Sequence, residues 1–263
     1  MRTPLALIAL LAAAHVPGLA QRAPLDPRRP FEISDNSFLV EEAFNQEAGV
    51  FQNIMLVQPP QRDEWSLEFT QEWPVGGQRH QLSYTVPLEA IRPPGGADYH
   101  VTRGTIALNY RYQLTTEADA AFASSPRVSL LIPRNDITDS WGLQLNLPFS
   151  KQLADVYLHF NAGATVENVP TSAAARWHAA GSVIFRVLPM VHAMVESVYR
   201  TDEIETTDGL ANDWLISPGI RAGINLRDHQ LVLGAAVPIG LLDENDTRHL
   251  ITYISYELPF MRR

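Results

Sequence analysis

From Gly49 onward the chain alternates apolar and polar residues with a period of two. Trp65, Leu67, Phe69, Gln71 and Trp73 share one face, while Ser66, Glu68, Thr70 and Glu72 share the other. A β-strand carries such a pattern when its two faces meet different media. The alternation returns in residues 79–86, 105–114, 128–132 (a run that starts near Asp119), 141–147, 156–162 and 177–186. It continues through 191–200, 214–225, 231–239 and 250–258. With residues 50–57 as the first, about twelve strands are expected, several of the length that a tilted membrane strand requires.

The connections alternate as well. Short ones are read at 75–78, 115–118, 150–152, 188–189 and 227–228, and long ones at 59–63, 88–101, 134–138, 167–175, 201–212 and 241–246. Outer-membrane barrels have tight periplasmic turns and longer outer loops, and an even strand count leaves both termini in the periplasm. A soluble β-sandwich also alternates polar and apolar residues. Here, however, the polar face carries bulky charges, and the apolar rows begin or end in Trp65, Trp73, Tyr84, Trp141, Trp177, Tyr199, Trp214 and Tyr256, as interfacial girdles do. The pattern predicts an all-β fold, a transmembrane antiparallel up-and-down β-barrel spanning 49–260, with a tail at 261–263.

Ahead of the barrel, residues 1–20 have the layout of a secretory signal peptide: a positive start, an apolar stretch too short to span a bilayer, and small residues before a cut after Ala20. About 243 residues (263 − 20) then remain. Residues 21–48 read as a periplasmic leader, extended over 21–30. Residues 34–45 read as a short amphipathic helix, because Asp35, Asn36 and Ser37 are good caps and Phe38, Leu39, Ala43 and Phe44 recur at near-helical spacing. Such a helix would pack against the periplasmic mouth or partly plug it. The absence of cysteine excludes disulfides and thiolate metal sites. The net charge of −9, with no basic stripe, speaks against nucleic acid as a partner.

Two stretches carry a resemblance. Residues 35–47 lead into 49–54, and Phe69-Thr70-Gln71-Glu72-Trp73-Pro74 precedes Arg79-His80-Gln81-Leu82-Ser83-Tyr84; residues 145–151 belong with them. Together they resemble a poorly characterised family of Gram-negative outer-membrane barrels, often described as transporters and related to the meta-pathway phenol-degradation protein family. The resemblance implies location and fold, with transport by name only, and carries over no catalytic or ligand residue. Barrels of this kind commonly end on an aromatic residue read by the assembly machinery; here Phe260 has that place, but Met261-Arg262-Arg263 follow it.

Little in the chain suggests catalysis or metal binding. His80 and Ser83 are three apart on a strand and so point to opposite faces. There is no Gly-x-Ser-x-Gly elbow and no His-Glu-x-x-His. The acidic runs 243–246 and 202–208 read as solvated loops rather than cation sites. No cofactor is expected. The polar face gathers Glu68, Glu72, Arg79, Arg111, His159, His178, Arg186, His192, Glu196, Arg200, Arg221 and Glu257 as lumen-lining candidates. These side chains either form a field that selects solutes or pair across the barrel and fill it. A twelve-strand barrel lies between the filled and the open types, so both outcomes stay open. The leading function is passive passage of small solutes, hydrophobic or aromatic ones among them. The alternatives are a closed structural or surface-interaction barrel and, third, a lipid-modifying enzyme. Expected partners are outer-membrane lipid and lipopolysaccharide, the barrel-assembly machinery, and a small-molecule solute that the sequence does not name.

Overall fold

The computed structural model describes residue 33 and residues 35–260, apart from 62–63, 94–95, 97, 135–140, 170–171, 207–208, 227–228 and 243–248. The expectations for 1–20, 21–32, 243–246 and 261–263 lie outside the described residues, as do the side chains of 202–208.

Backbone pairing joins every strand into one antiparallel sheet. In chain order the strands are β1 (Val50–Gln61), β2 (Glu64–Pro74), β3 (His80–Ile91), β4 (His100–Arg103), β5 (Ile106–Tyr112), β6 (Ala123–Ser124), β7 (Arg127–Ile132) and β8 (Gly142–Leu153). They continue as β9 (Val156–Val169), β10 (Ser172–Leu188), β11 (Val191–Thr206), β12 (Gly209–Leu226), β13 (His229–Ala236), β14 (Ile239–Gly240) and β15 (Ile251–Pro259). The sheet closes on itself, because β1 pairs with β15 and β11 with β12. β4 and β5 both pair with β3, β6 and β7 both with β8, and β13 and β14 both with β12. Each of these couples is one wall strand broken in two, so fifteen segments less three breaks give a closed barrel of twelve strands. A proline accompanies every break: Pro126 and Pro238 lie within two of them, and at the third the Gly104 N–H bonds the Pro87 carbonyl at 2.8 Å. Proline cannot donate to a ladder, so pairing lapses beside it.

The apolar rows face outward, where a soluble protein would have none. Leu82, Leu108, Leu143, Leu145, Ile220, Ile224 and Leu233 are all exposed. Trp141, Trp177, Tyr199 and Trp214 ring the outer surface at one end. At the other end Trp73 packs against Tyr84, and Phe51 against Phe260. Along β12 the outward row runs from Trp214 to Leu226. At about 3.3 Å per residue and a tilt of about 40° this band is roughly 30 Å tall, a hydrocarbon thickness. We call the end at which β1 begins and β15 finishes the turn end, and its opposite the loop end.

Several connections differ from the reading above. The β9–β10 and β11–β12 hairpins run on through most of 167–175 and 201–212, so the long loops expected there are largely strand. Backbone pairing needs no apolar face and continues past the band where side chains stop alternating. The opposite holds between β5 and β7. The stretch 113–122 is longer than the short turn expected at 115–118, and β6 begins at Ala123 rather than near Asp119. There Asp119 caps a turn by accepting from the Thr116 backbone N–H and hydroxyl, at 2.7 and 2.8 Å. The tight β2–β3 turn is as expected, with Gly76 and Gly77 at φ of 64° and 122°, values that side chains resist.

No helix occurs among the described residues, and the helix expected at 34–45 is corrected: residues 35–47 form an irregular segment with bends at 38–40 and 43, inside the barrel. A helix would turn its N–H groups toward carbonyls four residues back. Here side chains of the wall offer closer-fitting acceptors to the same donors, and that competition is what the cap residues and spacing could not reveal.

Candidate functional site: the barrel lumen

The segment crosses the lumen from β12 and β15 toward β3 and β5, and the wall takes up its main chain atom by atom. Glu196 accepts from the N–H groups of Leu39 and Val40, at 2.8 and 3.0 Å. Asn161 accepts from the Glu41 N–H and donates to the Glu41 carbonyl, both at 2.8 Å. Gln113 accepts from the Asn45 N–H at 3.0 Å and donates to the Ala43 carbonyl at 2.8 Å. Ser150 takes the Ala43 N–H at 2.7 Å and Gln81 the Gln46 N–H at 2.6 Å. From the two walls that the segment spans, Arg221 donates to the carbonyls of Asp35 and Asn36 at 2.9 and 2.6 Å, and Arg111 to those of Glu42 and Phe44 at 3.3 and 3.2 Å. Buried backbone groups have to be paired, and amide and hydroxyl side chains here stand in for a neighbouring strand.

Charge pairing reinforces the seat. Glu41 reaches Arg111 and Arg127 at 2.6 Å each. Burial alone would raise its pKa, but the Arg127 and Arg111 guanidiniums overcome that and hold it below the usual carboxylate range. Glu42 lies 3.3 Å from Arg221 and 3.7 Å from His159. Asp35 accepts from the Tyr253 hydroxyl at 2.6 Å and from Gln52 at 2.5 Å. Its burial pushes its pKa up to about 6 against the pull of Arg221. Apolar anchors complete the fit. Phe38 stacks on Tyr253 with ring centroids 4.8 Å apart and lies over Gly234, where an added Cβ would sit 2.2 Å from its ring. Ile33 is seated in the same way over Gly223, and Val40 packs with Ala180, Val198 and Leu215. Each fully buried aliphatic or aromatic side chain contributes about 1.5–3 kcal/mol.

Above the segment, toward the loop end, the lumen stays open as a cup of about 480 Å³. Leu39 and Glu41 lie at its base, and Glu68, Arg127, Gln144, Arg176, His178 and Arg200 are among the residues around it. Arg176 pairs with Glu167 at 2.6 Å, and Arg200 with Asp213 at 3.2 Å. His178 lies 3.0 Å from Asn146 and flat against Gly163, where a Cβ would meet its ring at 2.4 Å.

The twelve residues singled out from the sequence thus sort by depth. Glu72, Arg111, His159, His192, Glu196, Arg221 and Glu257 are buried. Glu68, His178 and Arg200 line the cup. Two sit elsewhere: Arg79 is exposed in the β2–β3 turn, where its carbonyl, not its side chain, accepts from Asn45 and Gln113, and Arg186 pairs with the exposed Asp155 of the β8–β9 turn. Both have inward parity but stand at strand ends, where inward means solvent. Sequence reasoning missed Glu41, Glu42, Gln81, Gln113, Ser150 and Asn161. Their partners between segment and wall are 35 to 179 residues away along the chain, and no local spacing encodes that.

Ser150, His159 and Glu42 invite a catalytic reading, since Ser150 Oγ lies 2.7 Å from His159 Nδ1 and Glu42 follows on Nε2. All three are buried, the serine already accepts from the Ala43 N–H, and Arg221 shares the carboxylate. A nucleophile needs an open approach to a carbonyl, and none exists here. His80 and Ser83 are on opposite faces, one against Tyr110 outside and the other against Asn109 inside. Among the described residues no His, Asp or Glu cluster is arranged to hold a metal ion.

No protein-family model matches the chain, and no curated protein does. Solved structures do. An outer membrane channel from Pseudomonas putida F1 is similar over 86% of this chain and 99% of its own, with a TM-score of 0.59 and 13% identity. A BenF-like porin from Pseudomonas fluorescens Pf-5 has a TM-score of 0.39 at 7% identity, over 81% of this chain and 98% of its own. LpxR from Salmonella typhimurium has 0.38 at 7%, over 78% and 99%. The first likeness shows the fold, that of an outer-membrane β-barrel; the other two are too distant to argue from.

Proposed function

We propose that the protein is an outer-membrane channel for small solutes, hydrophobic or aromatic ones among them, whose inner mouth is held shut by residues 35–47. The observation that carries this reading is the cup: a polar space of about 480 Å³ in the lumen that ends on Leu39 and Glu41 rather than on the wall. A barrel meant only to be filled would bring wall side chains together, whereas here a separable piece of chain does the filling through hydrogen bonds that water can replace. The outward band would lie in lipid and lipopolysaccharide after insertion by the barrel-assembly machinery. Kinship with the meta-pathway phenol-degradation proteins belongs to the same proposal.

The buried Glu42–Arg221 pair favours a second reading, a permanently closed barrel with a structural or surface role. Planar-bilayer recording separates the two. Conductance steps from the mature chain that grow when 21–46 are deleted support a channel. Folded protein that gives no steps in either form supports the closed barrel.

A further inference from the structure

Each guanidinium lining the cup has a carboxylate in contact: Arg127 has Glu41 at 2.6 Å, shared with Arg111, Arg176 has Glu167 at 2.6 Å, and Arg200 has Asp213 at 3.2 Å. Glu68 has none. It stands on the inward face of β2, exposed to the cup, with no ion pair or hydrogen bond among the described residues. Arg127 and Arg200 act on it only from beyond contact, and both are already committed. Arg111, the second partner of Glu41, is spent on that carboxylate and on the carbonyls of Glu42 and Phe44, so Glu68 is the cup carboxylate that faces the enclosed water with no guanidinium in contact among the described residues. A carboxylate without a cation in contact, in a cavity with protein walls, acts on a solute more strongly than the same charge on an open surface.

From this geometry we infer that the cup selects solutes bearing a positive charge, with Glu68 as the residue that holds an ammonium-type group. The walls supply the rest of such a site. Leu39, Leu131, Ala180 and Val198 offer apolar contact, while Gln144, Asn161, Thr165 and Thr201 offer neutral hydrogen bonds. A volume of about 480 Å³ is within the range that encloses a small organic molecule. The inference deepens the channel reading and rests on it for its consequence, cation selectivity, but its first test does not depend on conduction.

Three probes of one shape decide it: benzylammonium, benzyl alcohol and benzoate, titrated by calorimetry into the mature full-length protein in detergent. Benzylammonium is expected to bind about tenfold more tightly than benzyl alcohol, the worth of one charge-assisted hydrogen bond, and benzoate more weakly than either. Glu68→Gln should erase the preference and Glu68→Asp keep most of it, with folding of each variant checked by the mobility shift on boiling. Equal binding of the three probes, or a preference that survives Glu68→Gln, overturns the inference. In a salt gradient across a planar bilayer, the reversal potential should mark a cation-selective pore that Glu68→Gln makes less selective and Glu68→Lys reverses. A reversal potential indifferent to both of these substitutions also overturns it. Absence of any conductance sinks the channel reading instead, and the titrations still decide the site.

Discussion

Arg221 and Arg200 make ion pairs of nearly the same length, 3.3 Å to Glu42 and 3.2 Å to Asp213, yet they belong to different kinds of lumen. The Arg221 side chain is wholly buried with its partner, whereas the Arg200 side chain is 36% exposed to the cup. In the turn-end half the wall presents charges and amides to a peptide that fits them, and both are buried. In the loop-end half the same residue types face water, and their pairing costs and gains little. The difference teaches that alternation of polar and apolar residues specifies a barrel without saying whether its polar face is a core or a channel. The N-terminal segment decides that, and it reaches only half the height.

Losing Arg221 is the strongest test of this contrast. Arg221→Ala strands the Glu42 carboxylate in a dry site and frees the carbonyls of Asp35 and Asn36. Removing one partner of a buried pair costs about 3–5 kcal/mol, read as a lower midpoint for the boiling-dependent mobility shift. In a chain that lacks residues 21–46, the same substitution should cost little, since its partners are gone. An equal loss in both backgrounds would show that Arg221 serves the wall and not the segment.

A steric test comes next. The ring of Phe38 occupies the space a side chain at Gly234 would need. Gly234→Val is expected to cost about 1–3 kcal/mol by overpacking and to enlarge conductance by lifting the segment from its seat. Phe38→Ala alone leaves a cavity, but combined with Gly234→Val it should recover part of the loss. Strict additivity of the two would mean that ring and glycine do not meet.

The outward surface was legible because lipid imposes one rule on every strand: Leu82, Leu108, Leu143 and Ile220 are where a period of two puts them. The breaks at Pro87, Pro126 and Pro238 were visible in the letters but not weighed, and a proline's missing donor would have predicted them. The site was legible only in part. Parity found Glu196 and Arg221 but could not supply their partners, because Leu39, Val40, Asp35 and Asn36 bring backbone atoms that every residue owns. Asp35, Asn36 and Ser37 cap helices in general; here Asp35 instead accepts from Tyr253, two hundred positions downstream in round numbers.

Acidity tests the seat more gently. A seated Asp35 keeps its proton up to a pH of about 6, and a released one only to the ordinary aspartate value of 3.8. Seating therefore binds a proton between those values, so the seated form gains as pH falls from 7 to 5, by about 1.3 kcal/mol or close to tenfold. Glu41 works in the opposite sense: its depressed value favours seating above the ordinary carboxylate range, and that contribution fades at lower pH. Because other ionisable side chains lie nearby, the comparison is with Asp35→Asn, which should flatten the dependence. Proteolysis of the segment at pH 5 and 7 provides the readout, and faster cleavage at pH 5 in the parent chain would reverse the sign argued here.

The smallest effects on stability belong to the cup. Arg200→Ala and Arg176→Ala each break an ion pair whose guanidinium is about a third exposed, and water and salt screen such pairs to under about 1 kcal/mol. The boiling midpoint should hardly move. What changes is the charge balance, since Asp213 or Glu167 then joins Glu68 as an uncompensated carboxylate, and conductance for cations should rise as stability stays level. A destabilisation on the scale of Arg221→Ala would mean that the cup is as dry as the seat, and that the two halves of the lumen are one core after all.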